Sequence, residues 1–244
     1  MSDTFSVLSR RRLLATAGAA PLFLSSIARA AAAPLKIATI GAGRMGGALG
    51  TAFAKAGHPV MFSSRHPEEL KDLVTAAGPN ARAGTIQEAA AFGDVIALLV
   101  PYSAMEGVAK DVGKILATKA LVLDVSNPIA ARDGDVATKV LEEGPGAYLK
   151  RLMPGIRIVR GFNSIGSGTI SNPLLANGTK RGVAMVGDDP KAIEIATGLV
   201  REIGFDPVVI GPLAMGKYLY RPSTYFNGNQ SAEEIRTAAA TIPK

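Results

Sequence analysis

Three glycines, Gly41, Gly43 and Gly46, stand in G-x-G-x-x-G spacing directly after the apolar run Leu35 to Ile40, and Ser63, Ser64 and Arg65 follow roughly twenty residues on. This spacing is suited to holding a pyrophosphate. Gly41 permits a tight turn out of a strand, Gly43 removes the side chain that would keep a phosphate off the backbone, and Gly46 lets the next helix approach closely. The pyrophosphate would then sit at the start of that helix, where unpaired N–H groups and the helix dipole favour an anion. A dinucleotide site for NAD ordinarily ends its second strand in Asp or Glu, to bind the ribose 2′-hydroxyl. Here the segment His58 to Phe62 leads into two hydroxyls and a guanidinium, a set that bonds a 2′-phosphate and offers nothing to repel it. The expected nucleotide is therefore NADP.

Composition narrows the remaining chemistry. The chain has no Cys, which excludes a disulfide framework, a thiolate nucleophile and a Cys metal site, and its two His residues, His58 and His66, are too few for a His-rich metal centre. Asp124, inside an apolar run, stands alone and makes no acid/base pair. No side chain is expected to act as catalyst or metal ligand, so the chemistry falls to the cofactor.

In a parallel sheet, ligands lie outside the carboxyl ends of the strands, so the strand exits matter most. Val95 to Val100 runs into Pro101-Tyr102-Ser103, Ala120 to Val125 into Ser126-Asn127-Pro128, and Arg157 to Gly161 into Phe162-Asn163-Ser164. Val100, Pro101 and Tyr102 are expected as a flat wall beside an aromatic ring, and Asn127 and Asn163 as partners for a carboxamide or ring carbonyl. Each Asn also suits a turn that bonds its own backbone.

The elements that position these residues alternate as in an α/β protein. Strands are expected at about 35–40, 59–63, 95–100, 120–125, 157–161, 182–187 and 207–210, and helices at about 44–57, 67–77, 85–92, 103–117, 145–153 and 190–203. Ser103 and Glu106 have the spacing of a capping box. The fold class is a Rossmann-type, doubly wound, mostly parallel sheet with a small C-terminal addition. From about residue 212 the chain is rich in Pro, Tyr, Gly and Asn, with an amphipathic piece near Ala232 to Ala240 that would fold over the cofactor mouth, join a dimer or fray.

Residues 1–33 read as an export signal. Arg10-Arg11-Arg12 precede an apolar stretch from Leu13 to Ile27, and Ala28-Arg29-Ala30 supplies a small-x-small cleavage site, the order expected of a substrate of the twin-arginine export machinery. The stretch, interrupted by Gly18 and Pro21, is too short for a stable membrane anchor. Residues 34–244 are then one NADP-binding domain, expected to be exported to the periplasm with nucleotide loaded beforehand. Of the formal net charge of +7, Arg10, Arg11, Arg12 and Arg29 against Asp3 account for +3, leaving +4 for the mature chain. Without a Lys/Arg cluster interleaved with aromatics, nucleic acid is not an expected partner.

The ordered set G-A-G-R-M-G, F-S-S-R, L-L-V-P-Y, V-S-N-P, V-R-G-F-N-S-I-G, V-G-D-D-P and I-G-P-L-A, from Leu35 to Arg221, resembles the coenzyme F420-dependent NADP oxidoreductases. The resemblance implies a Rossmann domain, often dimeric, that moves hydride between NADPH and a deazaflavin stacked on the nicotinamide. It implies that Ala42, Gly43, Arg44 and Met45 line the pyrophosphate, that Ser64 and Arg65 hold the 2′-phosphate, and that Pro101 lies beside the nicotinamide. One departure is clear: a Lys that helps hold the phosphate in this family falls here on Glu69, with Lys71 nearby. The same features also suit the nucleotide domain of a ferric or flavin reductase, or an exported NADP-binding protein without turnover. Imine and carbonyl reductases share the N-terminal half but need a long helical C-terminal domain, for which little follows Gly211.

Overall fold

The sheet starts at its centre. β1 (Ile37–Ile40) is buried at every position and pairs in parallel with β2 (Val60–Ser63) on one side and β4 (Val95–Leu98) on the other. This computed structural model describes residues 33–220 and 223–243, so the export signal and Arg221 lie outside the described residues. Residues 34–244 form one compact unit.

The eight strands lie in the order β3-β2-β1-β4-β5-β6-β7-β8, with β3 (Ala81–Gly84), β5 (Leu121–Asp124), β6 (Ile158–Gly161), β7 (Gly182–Gly187) and β8 (Asp206–Gly211). The first six run parallel in the 3-2-1-4-5-6 order of a dinucleotide fold. β7 then joins β6 antiparallel, and β8 follows β7 in parallel, so the last two strands point the other way.

Alternation along the strands sends side chains to two separate cores. Ile37, Phe62 and Val95 face one side, covered by α1 (Arg44–Lys55), α2 (Lys71–Ala77) and α8 (Pro190–Glu202). Ala38, Ile40, Ile96 and Leu98 face the other. That side is covered by α3 (Ile86–Phe92), α4 (Met105–Leu116), α6 (Asp135–Glu143), α7 (Pro145–Leu152) and the C-terminal segment with α9 (Ala232–Ala240). A short α5 (Ala130–Asp133) precedes α6.

The expected strands and helices are present, with differences that have physical causes. β3 was not foreseen because Ala-Arg-Ala-Gly lacks apolar alternation and forms the sheet's edge. Residues 67–70 and 102–104 form 3-10 turns ahead of α2 and α4. The Ser103 capping box does not form. α4 begins one residue later, at Ala104 as N-cap, and Ser103 instead donates through its N–H and hydroxyl to Asp133 at 3.2 and 3.1 Å. Thr85 and Glu88 make a capping box at α3, and Ser231 and Glu234 make one at α9.

The C-terminal segment does not fold over the glycine-rich turn. Residues 213–218 pack on α7, β6 and β7, and α9 packs on β7 and β8, each on the sheet's far half. Buried Arg181 anchors this segment, donating to Gly228 O at 2.7 Å and Asn229 Oδ1 at 2.6 Å.

Candidate functional site

The strand order reverses between β1 and β4, the two strands that lead away from the centre in opposite directions. A crevice opens there above the carboxyl ends. β1 ends in Gly41 with φ at +103°, a backbone that L side chains rarely adopt. A Cβ at Gly41 would lie 2.9 Å from Leu99 O, and one at Gly46 only 1.9 Å from Gly41 O. The protein's own atoms therefore demand both glycines. Gly43 differs: a Cβ there would meet nothing within 4 Å. What its missing side chain leaves open is space at the N-terminus of α1, where Gly43 is the N-cap and no side chain caps the helix. Free N–H groups and an open approach fit a pyrophosphate.

Two cavities flank this turn on the strand-exit side. One, of about 720 Å³, is lined by Gly41, Ala42 and Gly43, by Ser63, Ser64 and Arg65 at the end of β2, and by Val100 and Pro101. Its remaining wall includes Thr85, Ile86, Gln87, Gly107 and Asp111. Ser63 is buried, Ser64 is partly so, and Arg65 is exposed with no partner among the described residues. The Ser64 hydroxyl accepts from His66 N–H at 3.0 Å, which fixes the turn after β2 and leaves the hydroxyl proton for a ligand. Glu69 lies in the 3-10 turn after it, exposed and off the cavity wall.

The second cavity, of about 480 Å³, is lined by Gly43, Arg44, Met45 and Gly46 on one side and by Leu99, Val100, Pro101, Ser126, Asn127, Ile129, Arg132 and Phe162 on the other. Gly43 borders both cavities, so a dinucleotide could run across it from one to the other.

Asn127 lines this second cavity, whereas Asn163, expected beside the ring, is buried, lines neither cavity and reaches the site through its bond to Asn127. Asn127 Nδ2 donates to Asn163 O at 2.7 Å, and Asn163 Nδ2 donates to Ser126 O at 3.1 Å. These carbonyl partners settle which end of each amide is nitrogen. The two Oδ1 atoms are buried acceptors left without a partner in the protein. A buried acceptor without a donor is costly, and a ligand amide would supply one. Neither Asn merely closes a turn on itself. Phe162, ahead of Asn163, holds φ at +63°, the one such non-glycine among the described residues, which turns the chain sharply as it leaves β6. Its ring packs edge-on against Phe205 at 5.6 Å.

Tyr102 departs from expectation. It is wholly buried rather than part of a wall beside Pro101, because its hydroxyl is engaged in the core. Arg160 Nη1 donates to the Tyr102 hydroxyl at 2.8 Å, and that hydroxyl donates to Asp124 Oδ2 at 3.3 Å. Arg160 also pairs directly with Asp124, and both side chains are fully buried. Burial, with Asp124 adding to it, pushes the Tyr102 phenol above its ordinary range and keeps it a neutral donor. Asp124 further accepts from Ser126 N–H at 2.9 Å, and Arg160 Nη2 donates to Ser126 O at 3.2 Å. The network thus fixes the exit that carries Asn127.

A second organiser is Asp133, on α5, which sequence reading missed. Its buried carboxylate accepts from Ser103, from Ile129 N–H at 2.9 Å and from Arg132 Nη2 at 2.9 Å. Burial works to raise this carboxyl, but the bonds from Arg132, Ile129 and Ser103 outweigh it and hold the group below its ordinary value. Only the Asp-after-Arg pair at 132–133 hinted at it, since its bond to Ile129 N–H is a backbone contact and Ser103 lies 30 residues away.

The strand order and the crevice define a doubly wound fold of Rossmann type. Within it, residues 36–128 match the family described as NADP oxidoreductase, coenzyme F420-dependent. Among solved structures, the chain is similar to a hypothetical protein from Sinorhizobium meliloti at 23% identity, covering 81% of this chain and 95% of that one with a TM-score of 0.65. It is similar also to a structure described as an F420-dependent NADP-reductase from Arthrobacter sp., at 19% identity over 75% of this chain and 87% of the other, with a TM-score of 0.63. An imine reductase from Myxococcus stipitatus in complex with NADP+ matches 74% of this chain but 56% of its own, at 19% identity and a TM-score of 0.55. At these identities the structural likenesses establish the fold.

Proposed function

We propose that the protein is an NADP-dependent oxidoreductase that moves hydride between NADP(H) and a flat acceptor, a deazaflavin of the F420 kind or a flavin. The observation that carries this reading is the unfilled approach at Gly43, which joins a cavity ending in Ser63, Ser64 and Arg65 to one lined by Asn127, whose amide oxygen has no partner in the protein. The family match over residues 36–128 and the NADP+ complex of a protein with this fold support it.

The residues present fit the dinucleotide. Ser63, Ser64 and Arg65 would hold the 2′-phosphate, the α1 N-terminus with Ala42, Gly43, Arg44 and Met45 would hold the pyrophosphate, and Asn127 Oδ1 would accept from the carboxamide, with Asn163 bonded to Asn127 from outside the cavity wall. When bound, NADP(H) supplies or takes up the hydride. The chain's own part is to orient and to exclude water. Val100 and Pro101 border both cavities and limit where a ring can lie, and the Asp124–Arg160 network fixes the Asn127 exit without entering the crevice. No proton donor is needed from the cavity wall for hydride transfer itself.

Loss of absorbance at about 340 nm on mixing NADPH-loaded protein with F420, FMN or riboflavin tests the reading. Binding of NADPH without oxidation by any of these acceptors would replace it with a nucleotide carrier. The twin-arginine pattern at residues 9–14 supports export of a protein already folded on its nucleotide. Replacing Arg11 and Arg12 with Lys should keep the protein in the cytoplasm, and unchanged export would refute that route.

A further inference from the structure

Arg132 is built as a fixed cation at the edge of the second cavity. Its Nε donates to Asp133 Oδ1 at 3.2 Å, while Nη2 donates to Asp133 Oδ2 at 2.9 Å and to Asn127 O at 2.7 Å. The carboxylate that holds it is fully buried, and is itself held by Ser103 and Ile129 N–H groups. Three of the guanidinium's five N–H groups are thereby committed, and the plane of the fork is set. Nη1 makes no hydrogen bond among the described residues, and the side chain remains 41% exposed. An arginine that served only solubility would not be braced by a buried carboxylate; such bracing is how proteins fix a group that must meet a ligand.

The surroundings say what ligand. The cavity wall holds a second cation, Arg44, and no carboxylate; Asp133 behind the wall offsets one of the two positive charges, and the remaining balance favours an anion. Beside Arg132 stands Ile129, 45% exposed and one of few large apolar side chains so open. An apolar surface next to a free pair of N–H donors suits a flat ring bearing a carboxylate or phosphate. The dinucleotide's own phosphates have other partners in the α1 N-terminus, Arg44 and the Ser63 to Arg65 rim, whereas Arg132 belongs to the wall that carries Asn127.

We infer that Ile129 and Arg132 form the acceptor-recognition lip, in which Nη1 of Arg132 bonds an anionic substituent of the hydride acceptor. This rests on the oxidoreductase reading and adds that the acceptor is anionic.

The test compares ligands that share a ring and differ in charge: FMN against riboflavin, and F420 against its uncharged deazaflavin chromophore. Their fluorescence is titrated with protein saturated in NADP+, so that no turnover is needed. Wild type should bind the charged member of at least one pair about 10-fold or more tightly than the neutral one. Arg132→Gln should erase that preference by weakening the charged ligand alone, Arg132→Lys should retain part of it, and NADPH affinity and thermal midpoint should stay as in wild type.

Equal binding of charged and neutral members by wild type, equal weakening of both by Arg132→Gln, or loss of NADPH affinity would overturn the inference, as would failure to bind any of the four. The oxidoreductase reading fails separately, when charged acceptors bind but NADPH is never oxidised. Should Arg132→Gln lower the thermal midpoint, Arg132→Lys carries the comparison, since it keeps the charge and loses the fork.

Discussion

The two cavities that meet at Gly43 are built on opposite plans. At the end of β2, Arg65 is exposed, tied to nothing among the described residues, and depends on a ligand for its partner. At the exits of β5 and β6 every cation is already bonded: Arg160 to Asp124 and Tyr102 inside the core, and Arg132 to Asp133 at the rim. A phosphate dianion can be gripped by a mobile guanidinium, because charge attraction tolerates variation in geometry. Two rings that must meet face to face require walls that do not move. On the proposed function, the difference assigns affinity to the β2 end of the crevice and alignment to the β5 and β6 exits.

The largest break in this contrast should come from the buried end. Arg160→Ala leaves Asp124 uncompensated in the core and should destabilise the fold by about 3–5 kcal/mol, measured by chemical denaturation. A loss below about 1 kcal/mol would mean that the ion pair does not hold the exits.

Arg65→Ala should do the reverse, leaving stability within about 0.5 kcal/mol of wild type while weakening NADPH about 10- to 100-fold and NADH hardly at all. Equal weakening of both nucleotides would refute the 2′-phosphate role and blur the two plans into one.

Asp133 sharpens the contrast through pH. Its folded carboxyl lies below the unfolded value, so its stabilisation is fully present above about pH 4 and is lost as pH falls through the folded value. Asp133→Asn should therefore cost about 1–3 kcal/mol at neutral pH, with the gap in thermal midpoint to wild type closing as the solution is acidified below about pH 4. A gap independent of pH would show that Asp133 acts through shape alone.

The smallest structural effect is expected at the junction itself. Gly43→Ala meets open space, so its stability should stay within about 0.5 kcal/mol of wild type while dinucleotide binding falls; Gly46→Ala, forced against Gly41 O, should cost about 1–3 kcal/mol. If Gly43→Ala binds NADPH as wild type does, the pyrophosphate does not pass there.

Much of this arrangement was legible in the residues, and what was not has physical reasons. The glycine spacing and the Ser63-Ser64-Arg65 ending are local, so they could be read directly and lie together at one cavity. β3 and the Thr85 to Gln87 wall beyond it were hidden because Ala81 to Gly84 carries no apolar pattern. The direction of β7 was hidden too, since the apolar run Gly182 to Gly187 reads alike whichever way the strand points. Tyr102 was misplaced because its partners, Asp124 and Arg160, are 22 and 58 residues away. Asp133 escaped notice for the same reason, its bonds to Ser103 spanning 30 residues.

The C-terminal turn at residues 213–218 has a bearing on the order in which the molecule is made. Gly216 lies so close to Arg160 that a Cβ there would come within 2.7 Å of the arginine's Cδ. Arg160 is therefore roofed by chain that leaves the ribosome more than fifty residues after it. The enclosure of the ion pair is completed only by that turn. The glycine-rich turn is built from residues near one another in sequence, whereas the enclosure of the Asp124–Arg160 pair waits on a segment more than fifty residues away.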